Sequence, residues 1–98
     1  MNRVEAMQRL KGYAADLRAR GATALYLFGS TARDEARADS DLDLFLEYEH
    51  GRGFSLVDLV SIKNLLQDRL GIEVDVTTRD SLHPALRQDI EKAALRVF

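Results

Sequence analysis

Cysteine and tryptophan are absent from this sequence of 98 residues, which also contains only one proline and two histidines. Without cysteine the chain can form no disulfide, no thiolate zinc site and no cysteine nucleophile. The two histidines, His50 and His83, are too few and too isolated to suggest a histidine metal site. Any catalytic or metal chemistry must therefore rest on carboxylates, hydroxyls and basic side chains.

Long hydrophobic runs and blocks of basic residues are also missing. No apolar stretch approaches the length needed to span a membrane, and residues 1–12 lack the apolar segment of a signal peptide. The net charge is −2, with acidic and basic residues interleaved, so direct binding to nucleic acid is not expected. We therefore expect a cytoplasmic protein without membrane contact, folded as a single domain over residues 1–98.

The spacing of apolar residues predicts an α/β (α+β) fold in which helices flank a small sheet, in the order α-β-α-β-α-β-α. Helices are predicted over about residues 3–20 and 31–36, from Ser55 (which with Asp58 has capping-box spacing) to Gly71, and from Pro84 onwards. Strands are predicted over residues 23–28, 41–47 and 72–77. Core-facing stripes are expected on the last two helices, formed by Leu56, Leu59, Val60, Lys63, Leu66 and Leu70, and by Leu86, Ile90, Ala93 or Ala94, and Val97.

Three aspartates on the predicted strands form the first candidate site. Side chains at i and i+2 of a strand point to the same face, so Asp41 and Asp43 project together while Leu42 and Leu44 face the core. Asp75 lies on the polar face of the third strand, and if that strand neighbours the second one, three carboxylates share one surface. Such carboxylates repel one another unless a cation lies between them, and oxygen ligands suit Mg²⁺ or Mn²⁺. The alternative is an acidic strand face exposed to solvent.

The dipeptide Gly29-Ser30 forms the second candidate site, because it falls where a buried strand turns into a helix. Glycine allows a phosphate close to the backbone, a helix N-terminus offers free N–H groups, and the Ser30 hydroxyl can donate to a phosphate oxygen. Arg33, one turn further on, can reach a β- or γ-phosphate. Taken alone, the dipeptide is equally typical of a plain turn in which a serine caps the helix.

The spacing between the two candidate sites makes their combination informative. Gly-Ser followed after ten residues by Asp-x-Asp is expected by chance in about one chain per thousand of this length. The pattern also falls in the required context, since the glycine follows a strand and the aspartates open the next one. Paired carboxylates beside a phosphate-binding turn are typical of two-metal phosphoryl or nucleotidyl transfer, in which Asp75 would bind the second metal and act as general base.

Residues 29–33 (Gly-Ser-Thr-Ala-Arg) and 40–44 (Ser-Asp-Leu-Asp-Leu) resemble the signature of the polymerase-β-type nucleotidyltransferase superfamily. Asp75 matches its third acidic position, and the short chain with its closing stretch resembles the minimal nucleotidyltransferases, or MNT proteins. The resemblance implies a mixed sheet, two Mg²⁺ ions (or Mn²⁺) and ATP as substrate. It implies metal-binding and catalytic roles for Asp41, Asp43 and Asp75, and nucleotide-binding roles for Gly29, Ser30, Arg33 and Ser40.

A transferase also needs a site for its acceptor, and this chain has no room for a domain that would supply one. MNT proteins pair with HEPN-domain toxins as antitoxins, and some transfer AMP to a toxin tyrosine. The resemblance therefore implies an antitoxin that adenylylates a partner HEPN toxin, in a homo- or hetero-oligomer. Two alternatives stay open: a binding module that neutralises its partner by occlusion alone, and a transferase that modifies a small molecule.

Overall fold

The computed structural model covers residues 1–98 and contains one mixed sheet with the strand order β3-β2-β1-β4. The strands are β1 (Ala22–Phe28), β2 (Leu42–Tyr48), β3 (Val74–Thr78) and β4 (Leu95–Arg96). β1 pairs antiparallel with both β2 and β4, whereas β2 and β3 are parallel. The predicted class, a small mixed sheet flanked by helices, is confirmed. The fourth strand is an addition that the apolar spacing does not predict.

Five α-helices and one 3₁₀ turn connect or precede these strands. No helix combines the length and the apolar character that crossing a membrane requires. The 3₁₀ turn at Arg79–Ser81 joins β3 to the last helix. The helices are α1 (Arg3–Lys11), α2 (Ala14–Ala19), α3 (Gly29–Ala32), α4 (Leu56–Leu70) and α5 (Pro84–Ala93).

The hydrophobic core lies on one face of the sheet. Leu42, Leu44 and Leu46 of β2 are buried there, as their alternation predicts. The leucines of β1, the valines of β3, and residues of α1, α2 and α4 complete this cluster, among them Leu25, Leu27, Val74, Val76, Leu10, Leu17, Ile62 and Leu66. Because the core occupies one face, the odd-numbered residues of β2 and β3 are directed to the opposite face.

α4 begins and ends as its sequence predicts. Ser55 and Asp58 form the capping box, with the Asp58 carboxylate accepting the Ser55 backbone N–H at 2.9 Å. Gly71 ends the helix in the left-handed conformation, at φ 71°. The predicted stripe is partly wrong, because Leu56 and Val60 are 72% and 47% exposed. The buried side centres instead on Ile62, Leu66 and Leu70, and Leu56 and Val60 lie roughly 80–120° around the helix from Leu66.

The first predicted helix and the last one are both shorter than expected. A turn at Gly12 and Tyr13 divides the first into α1 and α2, since glycine is a weak helix former and local tertiary contacts decide its conformation. The last helix stops at Ala93, and the chain then pairs with β1 through a 2.7 Å hydrogen bond from the Val97 N–H to the Leu25 carbonyl. Val97 is therefore buried by sheet pairing. The prediction that it belongs to the inner stripe of the last helix is wrong.

α5 contacts the rest of the molecule mainly through polar side chains. It contains no buried residue, and Leu86 is 54% exposed, so the predicted inner stripe through Leu86 and Ile90 is wrong. The Glu91 carboxylate instead lies 2.8 Å from Arg87 Nε and 3.0 Å from Arg79 Nε. His83 caps the helix, with its Nδ1 accepting the Ala85 N–H at 3.1 Å. The ion pair between Glu91 and Arg79 therefore joins α5 to the rest of the molecule, while Arg87 pairs with Glu91 within the helix.

Candidate active site

The face of the sheet opposite the core carries the predicted acidic residues. In the register of β2 and β3, Asp43 is the direct partner of Asp75, so the two carboxylates stand side by side on neighbouring parallel strands. Asp41 precedes β2 by one residue and is exposed, as is Asp75, whereas Asp43 is partly buried. The structure thus places β3 beside β2, which is the condition on which the shared acidic surface depends.

The electrostatic environment of the Asp43 carboxyl differs from that of a free carboxyl. Partial burial raises the pKa of Asp43, and the negative charges of Asp75 and Asp41 raise it further. The positive charge of Arg33 acts in the opposite direction and lowers that pKa. Asp75, Asp41 and Arg33 are therefore all close enough to Asp43 to act on the charge of its carboxylate.

Gly29 lies directly against Asp43. Phe28 and Asp43 are partners in the antiparallel register of β1 and β2, so the turn after Phe28 brings Gly29 to the Asp43 side chain. A Cβ atom added to Gly29 would lie 3.1 Å from the Asp43 Cγ and would collide with its Oδ2. Gly29 also has φ +75°, in the region that favours glycine. The glycine of the predicted motif therefore makes room for a carboxylate of the same motif.

The turn that carries Ser30 differs from the one predicted. α3 spans Gly29–Ala32 and not residues 31–36, and Ser30 is its second residue and not its cap. Phe28 precedes the helix and provides no side-chain cap, so the N–H groups of the first turn have no capping side chain. A helix of four residues has only a small dipole. Anion binding here would rest on these N–H groups and the Ser30 hydroxyl.

Arg33 and Ser40 occupy the loop between α3 and β2. The Arg33 side chain is 54% exposed and its Nε lies 3.1 Å from a Glu35 carboxylate oxygen, so it is free to turn toward an anion at low cost. The Ser40 hydroxyl accepts the Arg37 backbone N–H at 2.8 Å and thereby closes a local turn. A nucleotide contact by Ser40 stays a prediction.

The donor set of this surface suits a hard divalent cation. It consists of carboxylate oxygens alone, and their mutual repulsion at Asp43 is what a cation would relieve. No three acidic or histidine side chains have their ligand atoms gathered as a complete metal cluster. Asp41 and Asp75 are exposed on the surface, so rotation of their side chains can bring their oxygens toward Asp43. The predicted ligand set therefore fits Mg²⁺ or Mn²⁺ through rearrangement of side chains.

An aromatic cluster borders the acidic residues on the same face. The Phe45 and Tyr26 rings are stacked with centroids 4.7 Å apart, and the Phe28 ring is tilted against Phe45 at 5.7 Å. Arg79 covers both stacked rings, with its guanidinium carbon 5.1 Å from the Tyr26 centroid and 5.5 Å from that of Phe45. The alternation of Tyr26 and Phe28 with core leucines could have indicated this cluster. No sequence signal identifies Arg79, which follows β3 in a 3₁₀ turn.

Comparison with known proteins agrees with this geometry. The profile of the nucleotidyltransferase domain family matches residues 7–97. A Methanocaldococcus jannaschii protein assigned as the protein adenylyltransferase MJ0435 is 46% identical over 72 residues, which are 74% of this chain and 75% of the relative. The protein adenylyltransferase MntA of Thermococcus cleftensis is 33% identical over 88 residues, which are 89% of this chain and 83% of that protein.

Solved structures share the same fold. A protein assigned as a minimal nucleotidyltransferase superimposes with a TM-score of 0.82 at 36% identity, covering 97% of this chain and 95% of its own. A complex of an MNT antitoxin with a tri-AMPylated HEPN toxin from Shewanella oneidensis matches with a TM-score of 0.66 at 18% identity, covering 94% of this chain and 71% of the other. The chain belongs to the nucleotidyltransferase domain family and is a nucleotidyltransferase of the minimal type.

Proposed function

We propose that this nucleotidyltransferase transfers AMP from ATP to a hydroxyl group, a tyrosine hydroxyl, on a partner HEPN-domain toxin, and thereby acts as its antitoxin. The observation that carries the proposal is the pairing of Asp43 with Asp75 on neighbouring strands, directly beside the Gly29-Ser30 turn. This arrangement brings the carboxylates and the backbone N–H groups of that turn together on one small surface. It fits transfer of a nucleotidyl group better than any chemistry that needs a histidine or cysteine.

The Gly29-Ser30 turn would hold the phosphate groups that leave. The N–H groups of the first turn of α3 have no capping side chain, and the Ser30 hydroxyl can donate to a phosphate oxygen. Arg33 would release its exposed pairing with Glu35 and contact the β- or γ-phosphate. Across the sheet, from β1 to β3, the pairing of the strands gives the order Gly29-Ser30 turn, Asp43 and Asp75.

Asp41, Asp43 and Asp75 would hold the divalent cations. When bound, Mg²⁺ supplies positive charge that offsets the carboxylates and phosphates and makes the acceptor hydroxyl more acidic. Asp43 is the most buried of the three, and Gly29 fixes the space that its carboxylate occupies. Asp43 would therefore set the position of the site, while the exposed Asp41 and Asp75 adjust to the ligand.

The chemical step is an in-line displacement at the α-phosphorus. Asp75 accepts the proton of the acceptor hydroxyl, whose oxygen forms a bond to the α-phosphorus. The bond from that phosphorus to the oxygen bridging to the β-phosphate breaks, and pyrophosphate leaves on the side of Gly29 and Ser30. The products are an AMP ester of the acceptor and pyrophosphate, and the proton on Asp75 passes to solvent.

The protein partner is supported by the relatives and by the architecture. The relatives MJ0435 and MntA are named as protein adenylyltransferases, and the Shewanella complex pairs an MNT antitoxin with an AMPylated HEPN toxin. In this chain α1, α2 and α4 pack on the core face of the sheet, and Asp41 and Asp75 are exposed on the other face. A macromolecular partner that docks over the acidic face would bring its own hydroxyl to Asp75.

The proposal is tested by transfer of label from α-labelled ATP, in the presence of Mg²⁺, to the product of the gene that neighbours the gene of this chain. We expect the wild-type chain to label the partner, and Asp41→Asn with Asp43→Asn to reduce labelling at least 100-fold. A matched control, Asp68→Asn with Asp89→Asn, makes the same change in charge at exposed positions and should label normally. If the first double variant abolishes labelling but still neutralises the partner at equal dose, occlusion and not catalysis is the mechanism. Absence of label with wild-type protein and any of the four nucleotides would refute the proposal.

A further inference from the structure

Phe28 is the aromatic residue that stands next to both parts of the site. Its backbone directly precedes Gly29, and its register partner across β1 and β2 is Asp43. Directly opposed residues of an antiparallel pair project on the same face, so the Phe28 ring lies beside the Asp43 carboxylate. The side chain is only partly buried. An apolar ring thus remains accessible to a ligand at the edge of an otherwise acidic and polar surface.

The Phe28 ring packs against side chains that are restrained by burial, stacking or ion pairs. Phe45, against which Phe28 is tilted, is completely buried and stacks on Tyr26. Arg79 covers these two rings and is itself held by ion pairs to Glu47 and Glu91. Phe28 is therefore the partly exposed member of this group of aromatic rings. Because the rings beneath it are held in place, a ligand that stacks on Phe28 loses little free energy to reorganisation of the protein.

The order of the strands decides which ligand this ring faces. β2 lies between β1, which carries Phe28, and β3, which carries Asp75, so the ring and Asp75 are on opposite sides of Asp43. An acceptor hydroxyl that gives its proton to Asp75 approaches from the β3 side. Phe28 lies on the β1 side with Gly29 and Ser30, where the nucleotide would be held. The ring is thus placed for the nucleotide and away from the acceptor.

We propose that Phe28 is the platform on which the nucleobase of the bound triphosphate stacks. The proposal rests on the proposed nucleotidyltransferase site and adds to it a residue that binds the base. Stacking on a single ring contacts the π-face of a base and reads no hydrogen-bonding edge, so Phe28 would strengthen binding of every nucleoside triphosphate. Discrimination among bases would have to come from other groups.

The test compares binding of ATP with binding of inorganic triphosphate, each with Mg²⁺ and without acceptor, by titration calorimetry. Phe28→Leu keeps an apolar side chain but removes the ring, and we expect it to weaken ATP binding about tenfold while leaving inorganic triphosphate binding unchanged. Phe28→Tyr, which keeps the ring, should bind ATP within about twofold of wild type. Phe54→Leu is the matched control, because Phe54 is also partly buried but lies near Tyr48, at the other end of β2.

Three results would overturn the inference. Equal losses of ATP and triphosphate affinity in Phe28→Leu would mean that the ring only maintains the phosphate turn. Unchanged ATP affinity in Phe28→Leu would mean that the ring does not contact the base. Weak ATP binding by Phe28→Tyr would mean that the nucleobase is not bound by stacking on an aromatic ring at this position. Failure of the wild-type chain to bind ATP at all would refute the proposed function as well. The three results above concern only the role of Phe28 and leave the proposed function intact.

Discussion

At the scale of single residues, Gly29 couples the backbone to the site most directly. Its φ of +75° and its contact with the Asp43 carboxylate are two separate reasons for glycine at this position. The first reason is conformational strain, which for another residue amounts to about 1–2 kcal/mol. The second is steric, since a Cβ atom would displace Asp43 from its place beside Asp75. The motif glycine thus positions a carboxylate, in addition to the phosphate contact proposed for it.

The two reasons can be separated experimentally with Gly29→Ala and Gly51→Ala. Gly51 also has positive φ, +85°, but nothing lies within 4 Å of its added Cβ. Both variants should lose about 1–2 kcal/mol of unfolding free energy, measured by urea denaturation. Only Gly29→Ala should also lose transfer activity, by about 100-fold, because the carboxylate is displaced. Equal activity in the two variants would show that the contact with Asp43 has no catalytic role.

Asp43 also contributes to the pH dependence of stability in the absence of metal. Burial and the charges of Asp75 and Asp41 raise its folded-state pKa, so the folded chain binds a proton more readily than the unfolded chain does. The charged carboxylate therefore costs stability above the folded pKa, and this cost is relieved as pH falls toward the unfolded value of 3.8.

We accordingly expect Asp43→Asn to raise the Tm by a few degrees at pH 7 in EDTA, and the difference from wild type to vanish near pH 4. Asp89→Asn, at an exposed position on α5, is the control and should leave the Tm almost unchanged at both pH values. Added Mg²⁺ should stabilise wild type and not Asp43→Asn. A lower Tm for Asp43→Asn at pH 7 would contradict the conclusion that burial and charge repulsion make the ionised Asp43 carboxylate destabilising.

At the scale of secondary-structure elements, α5 depends on Arg79. The helix buries no residue, and the Arg79 side chain joins its Glu91 to Glu47 of β2 while covering Tyr26. Arg79→Met would leave Glu47 without its cation and Glu91 paired with Arg87 alone, and would cost about 2 kcal/mol. Hydrogen exchange should show faster exchange in α5 and unchanged protection in β1 and β2. Arg69→Met, which removes an exposed 3.9 Å ion pair, should change neither.

The same elements show what the sequence can and cannot predict. The period-two alternation in β2 and β3 predicts the shared face of Asp41, Asp43 and Asp75, because one buried face fixes the register of each strand. The capping box of α4 and its glycine end are equally local signals. The start of α5 at Pro84 is also a local signal, whereas its end at Ala93, its packing and β4 are not. Residues 94–97 suit a helix by local propensity, but pairing with β1 decides their structure, and the ion pair of Glu91 with Arg79 decides how α5 packs.

At the scale of the whole molecule, the sheet has a core on one face and a site on the other. The aromatic cluster and α5 cover part of the second face, and the acidic end beside Gly29 remains accessible. The residues proposed to bind the triphosphate and to activate a hydroxyl all lie on this surface. The acceptor hydroxyl is the component that a partner would supply, which makes the reaction dependent on the complex and not on the chain alone.

The dependence of the reaction on the partner is tested most directly by measuring the amounts of both products. With ATP, Mg²⁺ and the HEPN partner, pyrophosphate release and AMP on the partner should rise together in a one-to-one ratio, and both should be negligible without the partner. Asp75→Asn should reduce both rates equally, by at least 100-fold, without loss of ATP binding. Release of phosphate instead of pyrophosphate, or equal pyrophosphate release without the partner, would contradict AMP transfer to a protein acceptor at these three aspartates.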